Sequence, residues 1–164
     1  MTHSRTFQAL TICQPWAHLI CPNPGPLPAG YEPKRVENRK WDTSYRKWDT
    51  SYRKWDTSYR KWDTSYRGPL AIHAGQSRKF MRPDDQRRFA NCCAYGAVLG
   101  IAELVGCVKL RMGLVERYRW LYDDPYTEGP FCWILENVQP LKQPHPAKGQ
   151  LGLWTVEIPV ALLE

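Results

Sequence analysis

KRVENR at 34–39 is followed by KWDTSYR, which occurs four times without a change over 40–67, and then by GPLAIHAG at 68–75. Identical copies indicate that three of them arose by a recent or engineered in-frame duplication. Removing 47–67 leaves one heptad as a polar and aromatic connector between two apolar segments, and such a connector has an ordinary length. The sequence therefore predicts a single domain over 1–164 that carries the repeats as an insertion between two strands.

The heptads place Trp and Tyr alternately four and three residues apart, which favours a helical stripe, since a seven-residue repeat on a strand would change face at each copy. Asn38 would cap this helix and Gly68-Pro69 would end it. Because Thr-Ser-Tyr is a weak helical core, an extended hairpin or a mobile loop stays open as an alternative. A helix would expose its Trp/Tyr seam, whose simplest partner is the same seam on a second copy in a homo-oligomer.

Composition and charge limit the possible partners. The net charge is +7, of which the three extra heptads contribute +3, and the mildly basic remainder permits nucleic acid as a partner without requiring it. Six cysteines without a C-x-x-C pair or ordered companion histidines argue against a zinc site, and no cofactor is expected. Because the N-terminus lacks a signal pattern and no apolar run could span a bilayer, we expect a cytoplasmic protein without a membrane partner.

Outside the repeats, the apolar patterns predict strands with interspersed helices. A proline followed by acidic residues predicts a helix over 82–95, and two further helices are expected after Pro15 and over 113–122. Clustered prolines predict loops over 21–33 and between the last two strands. The predicted strands cover 7–13, 34–39, 69–74, 97–110, 131–138 and 151–158. This order indicates an α+β domain built on a mixed, barrel-like sheet with flanking helices.

Five motifs occur in a fixed order: ALTICQPWAHLI, KRVENR, WDTSYRGPLAIHA, FCWILENVQPLKQP and KGQLGLW. This series resembles the ASCH domain family of the PUA-like superfamily and covers nearly the whole chain apart from the extra heptads. The resemblance implies a small β-barrel with flanking helices and a cleft for RNA or a modified nucleobase. The family signature is similar to G-x-K-x-x-E-x-R. Lys34, Glu37 and Arg39 fit this signature, whereas Glu32 stands where the glycine is expected.

Some ASCH proteins are hydrolases of acylated cytidine that use a lysine, a threonine three residues later and a glutamate on a later strand, and some members are thought to cleave RNA. Lys34 matches the lysine and Glu103 is the candidate for the later carboxylate, but Glu37 occupies the threonine position. The resemblance therefore implies Lys34, Glu37 and Glu103 as catalytic candidates, and the missing hydroxyl weakens a direct transfer of the activity.

The chemistry of these residues supports a site without the resemblance. A lysine beside a carboxylate in a cleft can carry a proton or stabilise developing charge, if burial brings its pKa towards neutrality. Glu103 stands alone in an apolar strand, so if buried it must be neutral or paired, and a buried Lys34 facing it would serve both residues. The alternative is an exposed ion-pair cluster of Lys34, Glu37 and Arg39 on a loop.

Aromatic and polar side chains supply the candidates for base recognition. Trp16 is the better candidate for stacking on a nucleobase, whereas Trp133 and Trp154 lie in alternating strands that favour core positions. A structural hydrogen bond is the more common role for a histidine such as His73 at a strand end, although it can also act as a base. The substrate-binding candidates are Gln14, Trp16, Arg39, His73 and Trp133.

Three functions of different classes follow from these features. Binding of RNA or a modified nucleoside is preferred, because it needs only the residues that are present. The second is a small hydrolase acting on an acylated pyrimidine nucleoside, with ribonuclease activity as a subordinate possibility. The third is self-association through the repeats.

Overall fold

The computed structural model describes residues 3–39 and 65–164, so the predicted helix, hairpin or loop of the heptads falls outside the described residues up to position 64. The strands are β1 (Ser4–Ile12), β2 (Val36–Arg39), β3 (Gly68–Ala74), β4 (Ala97–Lys109), β5 (Phe131–Pro146) and β6 (Leu153–Pro159). The α-helices are α1 (Trp16–Ile20) and α2 (Pro83–Arg88), and two 3-10 helices span Glu116–Tyr122 and Val160–Leu162. The described chain is thus strand-rich with few helices, in agreement with the predicted α+β class.

The six strands form one mixed sheet in the order β2-β5-β4-β3-β1-β6. β1 runs parallel to β3 and antiparallel to β6, and β2 runs antiparallel to β5. A barrel closes only when its first and last strands hydrogen-bond to each other. In the part of the chain that the structure describes, β2 and β6 are instead the two ends of the sheet, so the prediction of a barrel is wrong.

The described residues divide into two compact units, each with its own apolar core. Unit 1 takes its described residues from Met1–Lys34, Pro69–Glu103 and Asn137–Glu164, and unit 2 from Arg35–Gly68 and Leu104–Glu136. The buried core of unit 1 includes Phe7, Ala9, Ala71, Val98, Leu141, Trp154, Val156 and Ile158. The core of unit 2 includes Val36, Leu114, Leu121, Cys132 and Ile134. The apolar runs of β1, β3, β4 and β6 thus bury one face of the sheet or both, as their patterns predict.

One fully buried cysteine lies in each unit. Cys21 is in unit 1, where burial raises the pKa of its thiol to about 12. A Cβ built on Gly100 would lie 2.4 Å from the Cys21 sulfur, so only glycine fits beside this thiol. Cys132 is in the core of unit 2. Both agree with the expectation of buried thiols.

Helix α2 begins where the sequence predicts but ends seven residues earlier than 95, at Arg88. The Asp85 carboxylate accepts a hydrogen bond from the Arg82 backbone N–H at 3.1 Å, which fixes the start. Beyond the end, the Cys92 carbonyl accepts the Gly25 N–H at 3.0 Å, and Cys93 forms an isolated bridge with Pro24. These pairings draw the backbone at 92–93 into contact with a distant loop, which prevents the helix from continuing.

Strand β5 extends to Pro146, through the stretch that the prolines predicted to be a loop. Its antiparallel pairing with β2 covers only Phe131 to Ile134. Prolines are tolerated where a strand edge needs no backbone donor, which accounts for the longer strand. The helix expected over 113–122 is a 3-10 helix over Glu116–Tyr122. None of the helices in the described ranges is both long and apolar enough to cross a membrane.

Candidate functional site

Gln14 fixes the start of α1 in unit 1. Its side-chain carbonyl accepts the His18 backbone N–H at 2.9 Å, and its amide nitrogen donates to the Ala94 carbonyl at 2.7 Å. The residue is fully buried. Both ends of the Gln14 amide are therefore hydrogen-bonded within the protein. Gln14 supports the helix that carries Trp16 and does not contact a ligand directly in this conformation.

Lys34 and Trp16 are brought together in unit 1. The Lys34 backbone N–H donates to the Leu19 carbonyl at 2.9 Å, which ties the end of the 21–33 loop to α1. The Lys34 ammonium lies 5.9 Å from the centroid of the Trp16 ring, within the range of a cation–π contact. Lys34 is only 4% exposed, whereas Trp16 is half-buried. The alternative of an exposed ion-pair cluster is therefore wrong for Lys34.

His18 and Asn23 hold the loop that leads to Lys34, and the sequence analysis missed both. The Asn23 amide donates to the Leu99 carbonyl at 2.8 Å and to the Leu141 carbonyl at 2.9 Å, which ties the loop to β4 and β5. The His18 Nδ1 atom accepts the Asn23 backbone N–H at 3.4 Å, so Nε2 carries the proton and donates to the Pro26 carbonyl at 3.0 Å. Burial lowers the pKa of His18, which favours this neutral tautomer.

The sequence indicates the roles of His18 and Asn23 only in part. His18 follows Trp16 by two positions on a short helix, and its burial depends on the packing of Phe89, whose ring lies edge-on at 5.7 Å. Asn23 stands in a proline-rich stretch, where asparagine is a common turn residue. Neither setting predicts that the Asn23 amide binds carbonyls on strands more than 70 positions away in the chain.

Glu37, Arg39 and Trp133 lie in unit 2. Glu37 and Arg39 are two residues apart on β2 and share a face, and their charged groups are 3.3 Å apart. Glu37 is opposite Trp133 in the pairing with β5, and Trp133 is only 1% exposed, as its predicted core position requires. The carboxylate at 37 therefore faces a guanidinium in a largely buried setting.

Asn38 occupies the other face of β2 and does not act as the helix cap that the sequence predicted. Its amide donates to the Tyr126 carbonyl at 2.7 Å, and its carbonyl accepts the Glu128 and Gly129 backbone N–H groups, each at 2.8 Å. The residue therefore anchors the 126–129 loop to the strand. Its neighbours on β2, Glu37 and Arg39, gain a fixed strand position from this anchor.

His73 is buried in unit 1 beneath the 147–152 loop. Its Nε2 atom donates to the Ala147 carbonyl at 2.7 Å, and its ring lies edge-on to Trp154 at 5.3 Å. A Cβ built on Gly149 would lie 2.8 Å from the imidazole, so glycine is needed for the loop to approach this closely. The Nδ1 atom is buried and has no hydrogen-bond partner within the described residues. Burial lowers the pKa of His73, and the structural hydrogen bond expected for it is confirmed.

Glu103 is exposed on β4 in unit 1, whereas Lys34 is buried. Its neighbours on β4, Ala102 and Leu104, are buried while Glu103 is exposed, as the two-residue period of a strand dictates. It borders an open surface depression of about 210 Å³, and Lys34 is not among the lining residues. The depression is lined by Arg5, Phe7, Pro69, Ile101, Ala102, Glu103, Asn137, Gln139 and Leu163. The predicted buried pair of Lys34 and Glu103 is therefore wrong.

Comparison with known proteins gives no match to any protein-family model and no match to a curated protein. The resemblance to the ASCH family thus stays a prediction from the motifs. Within residues 3–39 and 65–164, no group of three or more His, Cys, Asp or Glu side chains could hold a metal ion. The candidate site of unit 1 consists of the Lys34 ammonium and the half-buried Trp16 ring beside it.

Proposed function

We propose that the protein binds RNA or a modified nucleoside, with Lys34 and Trp16 as the contacts in unit 1. The observation that supports this function is the Lys34 ammonium held 5.9 Å from a tryptophan ring that is only half-buried. A nucleobase stacked on an aromatic ring gains about 1 to 3 kcal/mol. A neighbouring ammonium can donate to a base carbonyl or to a phosphate oxygen, so the pair offers both contacts that a nucleotide needs.

The support behind the pair favours a preformed site. Gln14, His18 and Asn23 fix α1 and the loop before Lys34 through bonds to main-chain atoms, so little order remains to be gained on binding. Such preorganisation reduces the entropic cost of binding. The contributions predicted for Arg39, Glu37 and Trp133 belong to unit 2 and stay predictions.

Binding is preferred to hydrolysis because of where the carboxylates lie. Glu103 is exposed beside Arg5 and Phe7, and Glu37 is held against Arg39 at 3.3 Å. A general base must lie within hydrogen-bond reach of the water that it activates, beside the bound substrate. Neither arrangement favours the hydrolase or the ribonuclease alternative. Self-association through the heptads would depend on residues outside the described ranges.

The test is a titration of the purified protein with a panel of modified cytidines and short single-stranded RNAs. Lys34→Met keeps much of the apolar stem and removes the charge, and we expect it to weaken binding about 10- to 100-fold, as for the loss of a charged hydrogen bond. Trp16→Leu should weaken binding to a similar extent through the lost stacking. Lys142→Met, at an exposed position of β5, is the matched control and should bind like the wild type.

Thermal unfolding of each variant separates a loss of binding from a loss of folding. Saturable binding that Lys34→Met weakens and Lys142→Met keeps would support the proposal. Unchanged affinity in both Lys34→Met and Trp16→Leu would contradict it. Chromatography of each sample for a released acyl group or a shortened RNA would reveal the hydrolase alternative, which requires a product from the wild type and none from Lys34→Met.

A further inference from the structure

A turn in unit 1 presents a group of basic and aromatic side chains to solvent. The Met81 backbone N–H donates to the Arg78 carbonyl at 2.9 Å, and the Met81 side chain is only 6% exposed. Burial of Met81 pins the turn, so the three residues before it face outward. Arg78, Lys79 and Phe80 are all exposed, Phe80 to 47%. We call residues 78–82 together with Tyr95 the basic turn.

The positive charges of the basic turn are not neutralised by the nearby helix α2. Asp84 forms ion pairs with Arg87 and with Arg88, the latter at 3.1 Å. The Asp85 carboxylate accepts the Tyr31 hydroxyl at 2.5 Å and the Arg82 backbone N–H at 3.1 Å. Both carboxylates of α2 are thus engaged by groups other than the cationic side chains of the turn. In the described ranges, the side chains of Arg78, Lys79 and Arg82 have no carboxylate within ion-pair distance.

Two aromatic rings lie among these cations. The Arg78 guanidinium carbon is 4.3 Å from the centroid of the Tyr95 ring, and the Lys79 ammonium is 5.0 Å from that of Phe80. The Phe80 ring lies outside the core, since Met81 is the buried residue of this turn. Cations next to ring faces match a strand whose phosphates and bases alternate, whereas an acidic peptide offers charge without a flat ring to stack.

We propose that the basic turn binds single-stranded nucleic acid, with phosphates on Arg78, Lys79 and Arg82 and a base stacked on Phe80. RNA and DNA share this chemistry, so the site recognises the strand by its phosphates and ring faces. The proposal stands apart from the Lys34 site, because a strand can bind here whether or not a base occupies Trp16. It is a second contact surface, built from residues outside the five motifs.

The experiment measures fluorescence anisotropy of labelled twelve-residue oligouridine and oligothymidine strands at several salt concentrations. Arg78→Gln, Lys79→Gln and Arg82→Gln are combined in one variant, which should lose at least tenfold in affinity. Its slope of log affinity against log salt should fall by about 2, since each phosphate contact on a single strand contributes about 0.7. Phe80→Ala alone should weaken binding about 5- to 100-fold, with an unchanged salt slope.

A charge-matched control removes three cations at exposed positions elsewhere: Lys109→Gln, Arg117→Gln and Lys142→Gln. Equal losses in the two triple variants would overturn the proposal, because net charge alone would then explain binding. Competition by polyglutamate as strong as that by an unlabelled strand of equal charge would also overturn it in favour of an acidic peptide. Binding of either labelled strand that depends on the basic turn and on Phe80 supports it.

The Lys34→Met variant separates this proposal from the proposed function. It should lose its affinity for a modified cytidine, and adding the basic-turn triple substitution to it should weaken binding of the labelled strands at least tenfold further. The basic-turn triple variant should in turn keep its affinity for the nucleoside. The affinities of the two variants for the nucleoside and for the labelled strands therefore distinguish a failure of the proposed function from a failure of the basic-turn proposal.

Discussion

In unit 1 the buried side chains of Gln14, Asn23 and His73 are neutral and bond to main-chain carbonyls, and the buried Lys34 ammonium lies beside the Trp16 ring. In unit 2 the buried Glu37 instead faces an opposite charge, that of Arg39. A neutral side chain that clamps a carbonyl loses a modest hydrogen bond when it is removed. A buried charge that loses its partner keeps the full cost of its own desolvation. The two units should therefore respond differently to single substitutions and to pH.

The largest effect is expected from breaking the pair in unit 2. Arg39→Met leaves the Glu37 carboxylate in a largely buried position without its guanidinium, and should lower the free energy of unfolding by about 3 kcal/mol. Adding Glu37→Gln to this variant removes the buried charge and should restore part of the loss. Urea unfolding of the two single variants and the double variant measures the coupling. Additive losses would show that the pair does not act as a unit.

A smaller effect is expected from loosening the clamp in unit 1. Asn23→Ala removes the two donors that reach the Leu99 and Leu141 carbonyls, and should lower the free energy of unfolding by about 2 kcal/mol. Asn91→Ala, at an exposed position after α2, serves as the matched control and should change it little. Chemical denaturation of both variants tests this. A loss in Asn23→Ala no larger than in the control would remove Asn23 from the comparison.

The smallest effect concerns acid and should be confined to unit 1, which contains all four histidines. Burial lowers the pKa of His73 in the folded protein, so on acidification the unfolded chain takes up its proton first. Stability is therefore at its full value above about pH 6.5 and falls as the pH drops towards the folded-state pKa, by at most about 1.4 kcal/mol per pH unit for one histidine.

His73→Gln should flatten this fall, because glutamine can donate to the Ala147 carbonyl without titrating. Denaturant unfolding of wild type and variant at pH 7.5, 6 and 5 provides the measurement. His18 contributes in the same direction, since burial lowers its pKa as well, so some fall should persist in the variant. Identical pH profiles for the two proteins would contradict a role for His73.

Local patterns were sufficient to predict much of the fold. Continuous or alternating apolar residues predicted β1, β3, β4 and β6, and the proline and acidic residues at 83–85 predicted where α2 begins. The end of α2 was not predictable, because it depends on Pro24 and Gly25 capturing the backbone of 92–93 from a distant part of the chain. The extent of β5 was hidden by its prolines, whose effect depends on which strand edge is paired.

The candidate site was predictable to a lesser degree. The position of Trp16 after a proline and that of Lys34 in the KRVENR motif singled out two residues that the fold does bring together. The exposure of Glu103 follows from the two-residue alternation of β4. The apolar residues Ala102 and Leu104 on either side of it could have predicted this exposure. The sequence could not decide whether Lys34 is buried or exposed, because its burial depends on the loop that Asn23 ties to β4 and β5.

The buried cysteines give each unit its own chemical reporter. An alkylating reagent reacts with a thiolate that it can reach, and Cys21 and Cys132 are both fully buried. Cys21 can therefore be modified only when unit 1 opens, and Cys132 only when unit 2 opens. The rates at which mass spectrometry detects the two modifications would time the openings separately, without any probe being added to the chain.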